Sequence, residues 1–150
     1  MSTPTRRTVL TLGTGAIALL LSPAARATTA SMAEAIRAFT NGKAIAASGV
    51  SLDIPLLLES GNSVPAVVKV DSPMSEDNFV RKIALFNEKN PLPNVAIFHL
   101  TPQSGRAWVS TRIRLSDSQK VMAVAEMSDG SFRSGSIEVI VTLPACVEQN

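Results

Sequence analysis

The chain has 150 residues, with 14 Lys and Arg against 12 Asp and Glu, one His, one Cys and no Tyr. That length holds one domain of ordinary size and leaves little for a second. The basic excess sits in residues 1–27, where Arg6, Arg7 and Arg26 have no acidic counterpart; beyond them 11 basic residues face 12 acidic ones. A nucleic-acid binder needs a basic patch in its folded part, and this composition supplies none. A single cysteine excludes an intramolecular disulfide and every multi-cysteine metal site. With one histidine beside it, a zinc ion would have to be held mostly by carboxylates, a rare arrangement. Neither a metal nor an organic cofactor is expected.

Thr5-Arg6-Arg7-Thr8 places adjacent arginines directly before an apolar run from Val9 to Leu21. This run of 13 residues falls short of the ~20 that span a bilayer. Ala25-Arg26-Ala27 then supplies small residues two apart, as a signal peptidase requires. Residues 1–27 read as a cleaved signal peptide and not as a membrane anchor. The arginine pair, Gly13 and Gly15, and Arg26 near the cleavage point favour the twin-arginine route. The mature protein is therefore expected to begin at Thr28 and to work in the periplasm.

Ser31-Met32-Ala33-Glu34 has the spacing of a capping box, and Met32, Ile36 and Phe39 give one apolar face to a short helix that Asn41-Gly42 would stop. After it the period becomes two. Val50, Leu52 and Ile54 alternate with Ser51 and Asp53, and Pro55 ends the strand or marks an edge. Glu59 to Asn62 reads as a turn, Val64 to Val70 as a strand, Phe79 to Phe86 as a strand with some helical character, and Val95 to Leu100 as a strand. Ala107, Val109, Thr111, Ile113 and Leu115 alternate with Arg106, Trp108, Ser110, Arg112 and Arg114, so this segment has a core face and a polar face. Val121 to Met127 and Ile137 to Leu143 complete the set, with Asp129-Gly130 as a hairpin turn between them. About seven short strands with one capped helix predict an all-β, immunoglobulin-like antiparallel β-sandwich over residues 28–143, with a short N-terminal helix. Residues 144–150 form a C-terminal tail.

Four features could carry chemistry. Cys146 lies in Pro144-Ala145-Cys146-Val147-Glu148, beyond the last strand, and a lone thiol in an exported protein suggests function more than packing. No cation close in sequence activates it, so at an ordinary pKa of ~8.5 only a few per cent is thiolate near neutrality. That describes a handle presented to other enzymes better than a self-activated nucleophile. His99 could pair with it as a base, but a strand histidine is more often a half-exposed sheet residue. Asp71, Glu76 and Asp77 flank a turn and read as a solvated acidic loop. Trp108 among Arg106, Arg112 and Arg114 combines the residue types enriched at binding hot spots, on a strand face that points outward by pattern; they form a candidate partner interface.

Several stretches occur together and in order: Leu52-Asp53-Ile54-Pro55, Glu59 to Pro65, Val70-Asp71-Ser72-Pro73-Met74, Phe98-His99-Leu100-Thr101-Pro102, Ser104-Gly105-Arg106, Ser110 to Leu115 and Val124 to Gly130. Through them the chain resembles the SoxY family, the sulfur-carrying subunits of the periplasmic thiosulfate-oxidising system, roughly from Ala33 to Leu143. The resemblance implies an immunoglobulin-like fold and a non-enzymatic carrier that pairs with a SoxZ-like small β-sandwich subunit. It implies that Cys146 holds thiosulfate-derived intermediates covalently. A haem enzyme would load them, a thiosulfohydrolase would remove sulfate, and a sulfur dehydrogenase would oxidise the remaining sulfane. The family's arm ends in Gly-Gly-Cys-Gly-Gly, whereas here Pro144-Ala145 precede the cysteine and Val147-Glu148 follow it. That departure raises an alternative, a SoxY-like binding or scaffold subunit that has lost the carrier role. A cysteine hydrolase using His99 is a further rival that needs the two side chains close together.

Overall fold

The computed structural model describes residues 29–143 and Ala145. The expected signal peptide, Pro144 and the segment from Cys146 onward lie outside the described residues.

The helix α1 (Thr29–Thr40) begins two residues before the expected cap, so Ser31 lies inside its first turn. Thr29 donates from its hydroxyl to the Glu88 carboxylate at 2.6 Å, which ties that turn to the sheet below. The stop is as the sequence suggests. Asn41 and Gly42 both take positive φ, and the Gly42 N–H closes the last turn on the Arg37 carbonyl at 2.9 Å.

Among the described residues nine strands follow: β1 (Ile45–Ala46), β2 (Val50–Asp53), β3 (Leu57–Ser60), β4 (Val64–Val70), β5 (Val80–Asn87), β6 (Asn94–His99), β7 (Trp108–Ile113), β8 (Gln119–Met127) and β9 (Phe132–Leu143). The larger sheet runs β1-β9-β8-β5-β6, with β3 also on β9; the smaller runs β2-β4-β7. The long pairings are antiparallel. Two short additions, β1 and β3, lie parallel to β9. β9 starts at Phe132, five residues earlier than its apolar run suggests, because the turn through Gly130 sends the chain straight back along β8.

Two apolar layers follow from strand alternation. Ile83, Leu85, Val121, Ala123, Val139 and their neighbours face the smaller sheet, where Val64, Ala66, Val68 and Ile113 meet them. On the opposite face of the larger sheet, Ala84, Phe86, Val124 and Phe132 meet Met32, Ile36 and Phe39 of α1. The Phe39 ring sits edge-on to both Phe86 and Phe132, with centroids 5.9 Å apart in each case. The described residues thus form a β-sandwich with one α-helix on the outside of its larger sheet.

Gly61 closes the sandwich at one end. Its N–H donates to the Leu143 carbonyl at 2.9 Å, and its carbonyl accepts from the Leu115 N–H at 2.9 Å. A Cβ here would collide with the Leu115 carbonyl oxygen. Because φ at Gly61 is not positive, the glycine is needed for space and not for conformation. Gly61→Ala should therefore lower stability by about 2 kcal/mol through overpacking, read as a fall in Tm of roughly 8 °C. A Tm within about 2 °C of the parent would show that the crossing relaxes without cost.

Candidate functional site

The node at Gly61 also holds the chain that leads to Cys146. After β9 the Ala145 N–H donates to the Leu115 carbonyl at 3.1 Å, and Ala145 is buried, with 6% of its surface exposed. The residue immediately before the cysteine is therefore fixed to the end of the sandwich. Cys146 itself lies outside the described residues.

His99 is at the other end of the molecule. It pairs with Lys82, Lys82 with Glu126, and Glu126 with Phe132, so His99 is level with the start of β9. Leu143 and Ala145 lie at its finish. The 12 residues of β9 put these two ends about 35 Å apart at ~3.3 Å per residue. One peptide link moves the chain only ~3.8 Å from Cα to Cα, so Cys146 cannot reach His99 within one chain. The Cys–His hydrolase reading fails on this distance. Among the described residues no three His, Cys, Asp or Glu side chains cluster as a metal site would require.

The Trp108 group divides in three. Trp108 is 49% exposed on the outer face of the smaller sheet, which α1 leaves uncovered because it packs on the larger one. The Arg106 guanidinium carbon lies 5.3 Å from the Trp108 ring centroid, and Lys69 Nζ lies 5.2 Å from it. Lys69 is directly opposite Trp108 in the β4–β7 ladder. Sequence reasoning missed it, since that register joins residues 39 positions apart. An open cleft of about 420 Å³ beside the ring is lined by Lys69, Asp71, Ser72 and Arg106 among others. Arg112 shares this outer face but sits farther along, opposite Pro65, and its Nη1 donates to the Ser63 hydroxyl at 3.3 Å. Arg114 lies beyond the end of β7 and lines a separate cleft.

That second cleft, of about 310 Å³, lies between the end of β5, the 90–95 segment and Arg114. Its polar surroundings are mostly satisfied. Asn90 donates to the Arg114 carbonyl at 2.8 Å, and its Oδ1 accepts from the Ser116 N–H and from Gln119 Nε2. Gln119 Oε1 accepts from the N–H groups of Glu88 and Lys89. Lys89 in turn bonds Asp117 at 3.2 Å; this hydrogen bond and the Ser118 N–H hold the Asp117 carboxyl below the usual carboxylate range. The exception is Asn87, which is wholly buried, with both amide atoms unpartnered. Leaving such a group unpaired costs about 1–3 kcal/mol. No sequence signal marked it, because a polar residue closing an apolar run reads as an ordinary strand end.

A third surface was also not foreseen. Alternation puts Ile140 on the face of the larger sheet that α1 covers, but the helix reaches only the first half of β9. Ile140 and its parallel partner Leu57 are left exposed, with Leu56 and Leu143 nearby in sequence and also exposed.

Comparison with known proteins places this geometry. The chain matches the family model described as sulfur oxidation protein SoxY over residues 36–146. Among solved structures it is similar to the sulfur carrier protein SoxY from Chlorobium limicola f thiosulfatophilum, with a TM-score of 0.64 and 26% identity, covering 75% of this chain and 92% of that one. It is also similar to superoxide reductase (neelaredoxin) from Ignicoccus hospitalis, with a TM-score of 0.56 and 15% identity over 63% of this chain and 80% of that one. Superoxide reductase from Nanoarchaeum equitans has a TM-score of 0.53 and 10% identity over 64% of this chain and 100% of that one. At such identities the reductases share the fold alone. No curated protein sequence matches. The family match covers most of the described sandwich and runs through the anchored Ala145 to the lone cysteine, and by it the chain belongs to the SoxY family of sulfur oxidation proteins.

Proposed function

We propose that this protein is an exported carrier of sulfur intermediates, held covalently on Cys146 and processed by partner enzymes. The observation that carries the reading is the extent of the family match, which ends on the chain's single cysteine. The likeness to a solved sulfur carrier protein supports it. In the loading step the Cys146 thiolate forms a bond to the outer sulfur of thiosulfate, and two electrons pass to a haem-containing oxidant. Hydrolysis then breaks the bond between that sulfur and the sulfonate, releasing sulfate and two protons and leaving a persulfide on Cys146. This chain supplies the thiol and its placement; the redox and hydrolytic groups belong to partners.

A SoxY-like scaffold without a carrier role is the second reading, and two observations favour it. Pro144 and Ala145 stand where the family has glycines, and Ala145 is buried and bonded to Leu115. Intact-mass spectra of protein from thiosulfate-grown cells decide between them. The carrier reading expects Cys146 adducts heavier by sulfane or thiosulfonate groups, absent from Cys146→Ser. Free thiol or simple disulfide dimers alone would leave the scaffold.

Export through the twin-arginine route with cleavage after Ala27 rests on Arg6, Arg7 and Ala25-Arg26-Ala27. Arg6→Lys combined with Arg7→Lys should leave precursor in the cytoplasm; normal periplasmic yield would exclude that route.

The exposed Trp108 with Lys69 and Arg106 supports a docking face for a SoxZ-like subunit. Trp108→Ala should weaken that heterodimer by about 2 kcal/mol, a roughly 30-fold rise in Kd. An unchanged Kd by calorimetry would move the interface elsewhere, with the exposed Leu57–Ile140 pair as the next surface to substitute.

A further inference from the structure

Exposed apolar side chains are not spread evenly over the described residues. Of the seven large ones, four gather in one place: Leu56 and Leu57 at the start of β3, and Ile140 and Leu143 in the last four residues of β9. Leu57 and Ile140 are direct partners in the parallel ladder, and the Ile140 N–H donates to the Leu56 carbonyl at 2.8 Å. Leu58 and Val141, the next residue on each strand, are buried in the core between the sheets. By alternation Leu57 and Ile140 lie on the outer face of the larger sheet, where α1 reaches Phe132 but not this far. The same alternation puts Glu59 and Glu138 on that face, one at either end of the pair, both exposed and neither in an ion pair among the described residues. An apolar patch with a polar rim marks an interaction site more often than a scattered exposed leucine does.

The place of the patch argues for what covers it. Ala145 is buried and bonded to Leu115, so the chain sets out for Cys146 from a fixed point at this end of β9. Ile140 and Cys146 are six residues apart and at most about 22 Å from each other, even with the chain fully extended. A standard interface takes ~800 Å² from each partner, a disc about 32 Å across, which holds both. We propose that Leu57 and Ile140, flanked by Glu59 and Glu138, are the docking surface for the enzyme that loads Cys146, and that this enzyme presents an apolar patch rimmed by cations. The inference rests on the carrier reading and adds to it the surface used and the chemistry of the partner. Loading joins the Cys146 thiolate to the outer sulfur of thiosulfate and passes two electrons to the oxidant, so two anions must meet at its mouth. Cations around that mouth gather them, and the same field draws Glu59 and Glu138. Apolar contact between them supplies the holding energy.

The test supplies extract of thiosulfate-grown cells, deleted for this chain, with purified parent or variant protein carrying whatever subunit it holds. The rate at which Cys146 gains a thiosulfonate group is read by intact mass. Leu57→Thr combined with Ile140→Thr keeps strand-forming residues at both exposed positions and should slow loading roughly tenfold. Glu59→Gln combined with Glu138→Gln should slow it several-fold at ~20 mM salt and leave it unchanged at ~0.5 M, where surface charges are screened. Tetrathionate loads the same thiol without an enzyme, by exchange that releases thiosulfate, and should treat parent and variants alike. Either variant loading at the parent's rate at low salt overturns the proposal. So does slower reaction of a variant with tetrathionate, which would assign the patch to placing the arm. Slow loading that accompanies loss of a SoxZ-like subunit gives the surface to that subunit and overturns it as well. A parent that reacts with tetrathionate but gains nothing in the extract overturns the carrier reading and the docking surface together.

Discussion

The end of this sandwich depends on a close crossing at Gly61. Three hydrogen bonds run through it in series: Gly61 to Leu143, Leu115 to Gly61 and Ala145 to Leu115. They join the turn after β3, the exit from β7 and the exit from β9. These segments belong to different sheets, and their approach is closer than any Cβ at position 61 would allow. Gly135 does the same within the body of the sandwich, where the Val50 carbonyl approaches β9. Backbone contact at such points fixes how the sheets overlap, and side chains then fill the space between. The same crossing sets the point from which Cys146 departs.

The helix α1 has a limited and definite role. Its Met32, Ile36 and Phe39 cover Ala84, Phe86, Val124 and Phe132, at the end of β9 remote from the cysteine. Twelve residues at ~1.5 Å per residue make a helix of about 18 Å, roughly half the length of β9. The uncovered half leaves Ile140 and Leu57 exposed near the root of the C-terminal segment. The Trp108 face is separate, on the outside of the smaller sheet. Two unlike surfaces therefore remain exposed, one apolar and one aromatic with the cations Lys69 and Arg106 beside the ring.

Alternation was the most legible signal in the sequence. Val64 to Val70 coincides with β4 at both ends, and the two faces of residues 107–115 divide as written, one buried or half-buried and the other exposed. Local period says little where a strand exists only because a distant partner is present. β1 and β3 are two and four residues long and owe their form to pairing in parallel with β9. The second half of β3, Glu59 and Ser60, reads as the start of a turn for that reason. Lys69 beside Trp108 is invisible on the same grounds, because it depends on register. The cysteine was found by count alone. Its neighbour's attachment to Leu115 required the fold.

That attachment bears on how a carrier with this arm would work. A glycine arm is free on both sides of the thiol, while Ala145 here gives up one backbone hydrogen bond and the burial of a methyl group before the chain can extend. At about 1 kcal/mol for the bond and ~0.8 kcal/mol for the methyl, release costs roughly 2 kcal/mol and leaves a few per cent of molecules extended. An enzyme that engages only the extended form would meet an apparent affinity reduced by that fraction. One that docks against the end of the sandwich would meet no such penalty, and it would find the exposed Leu57, Ile140 and Leu143 there. On the carrier reading, the substitution of glycines by Pro144 and Ala145 therefore changes where partners must bind more than whether they can react. The surface around the arm, and not the arm's length, becomes the determinant of which enzymes reach the thiol.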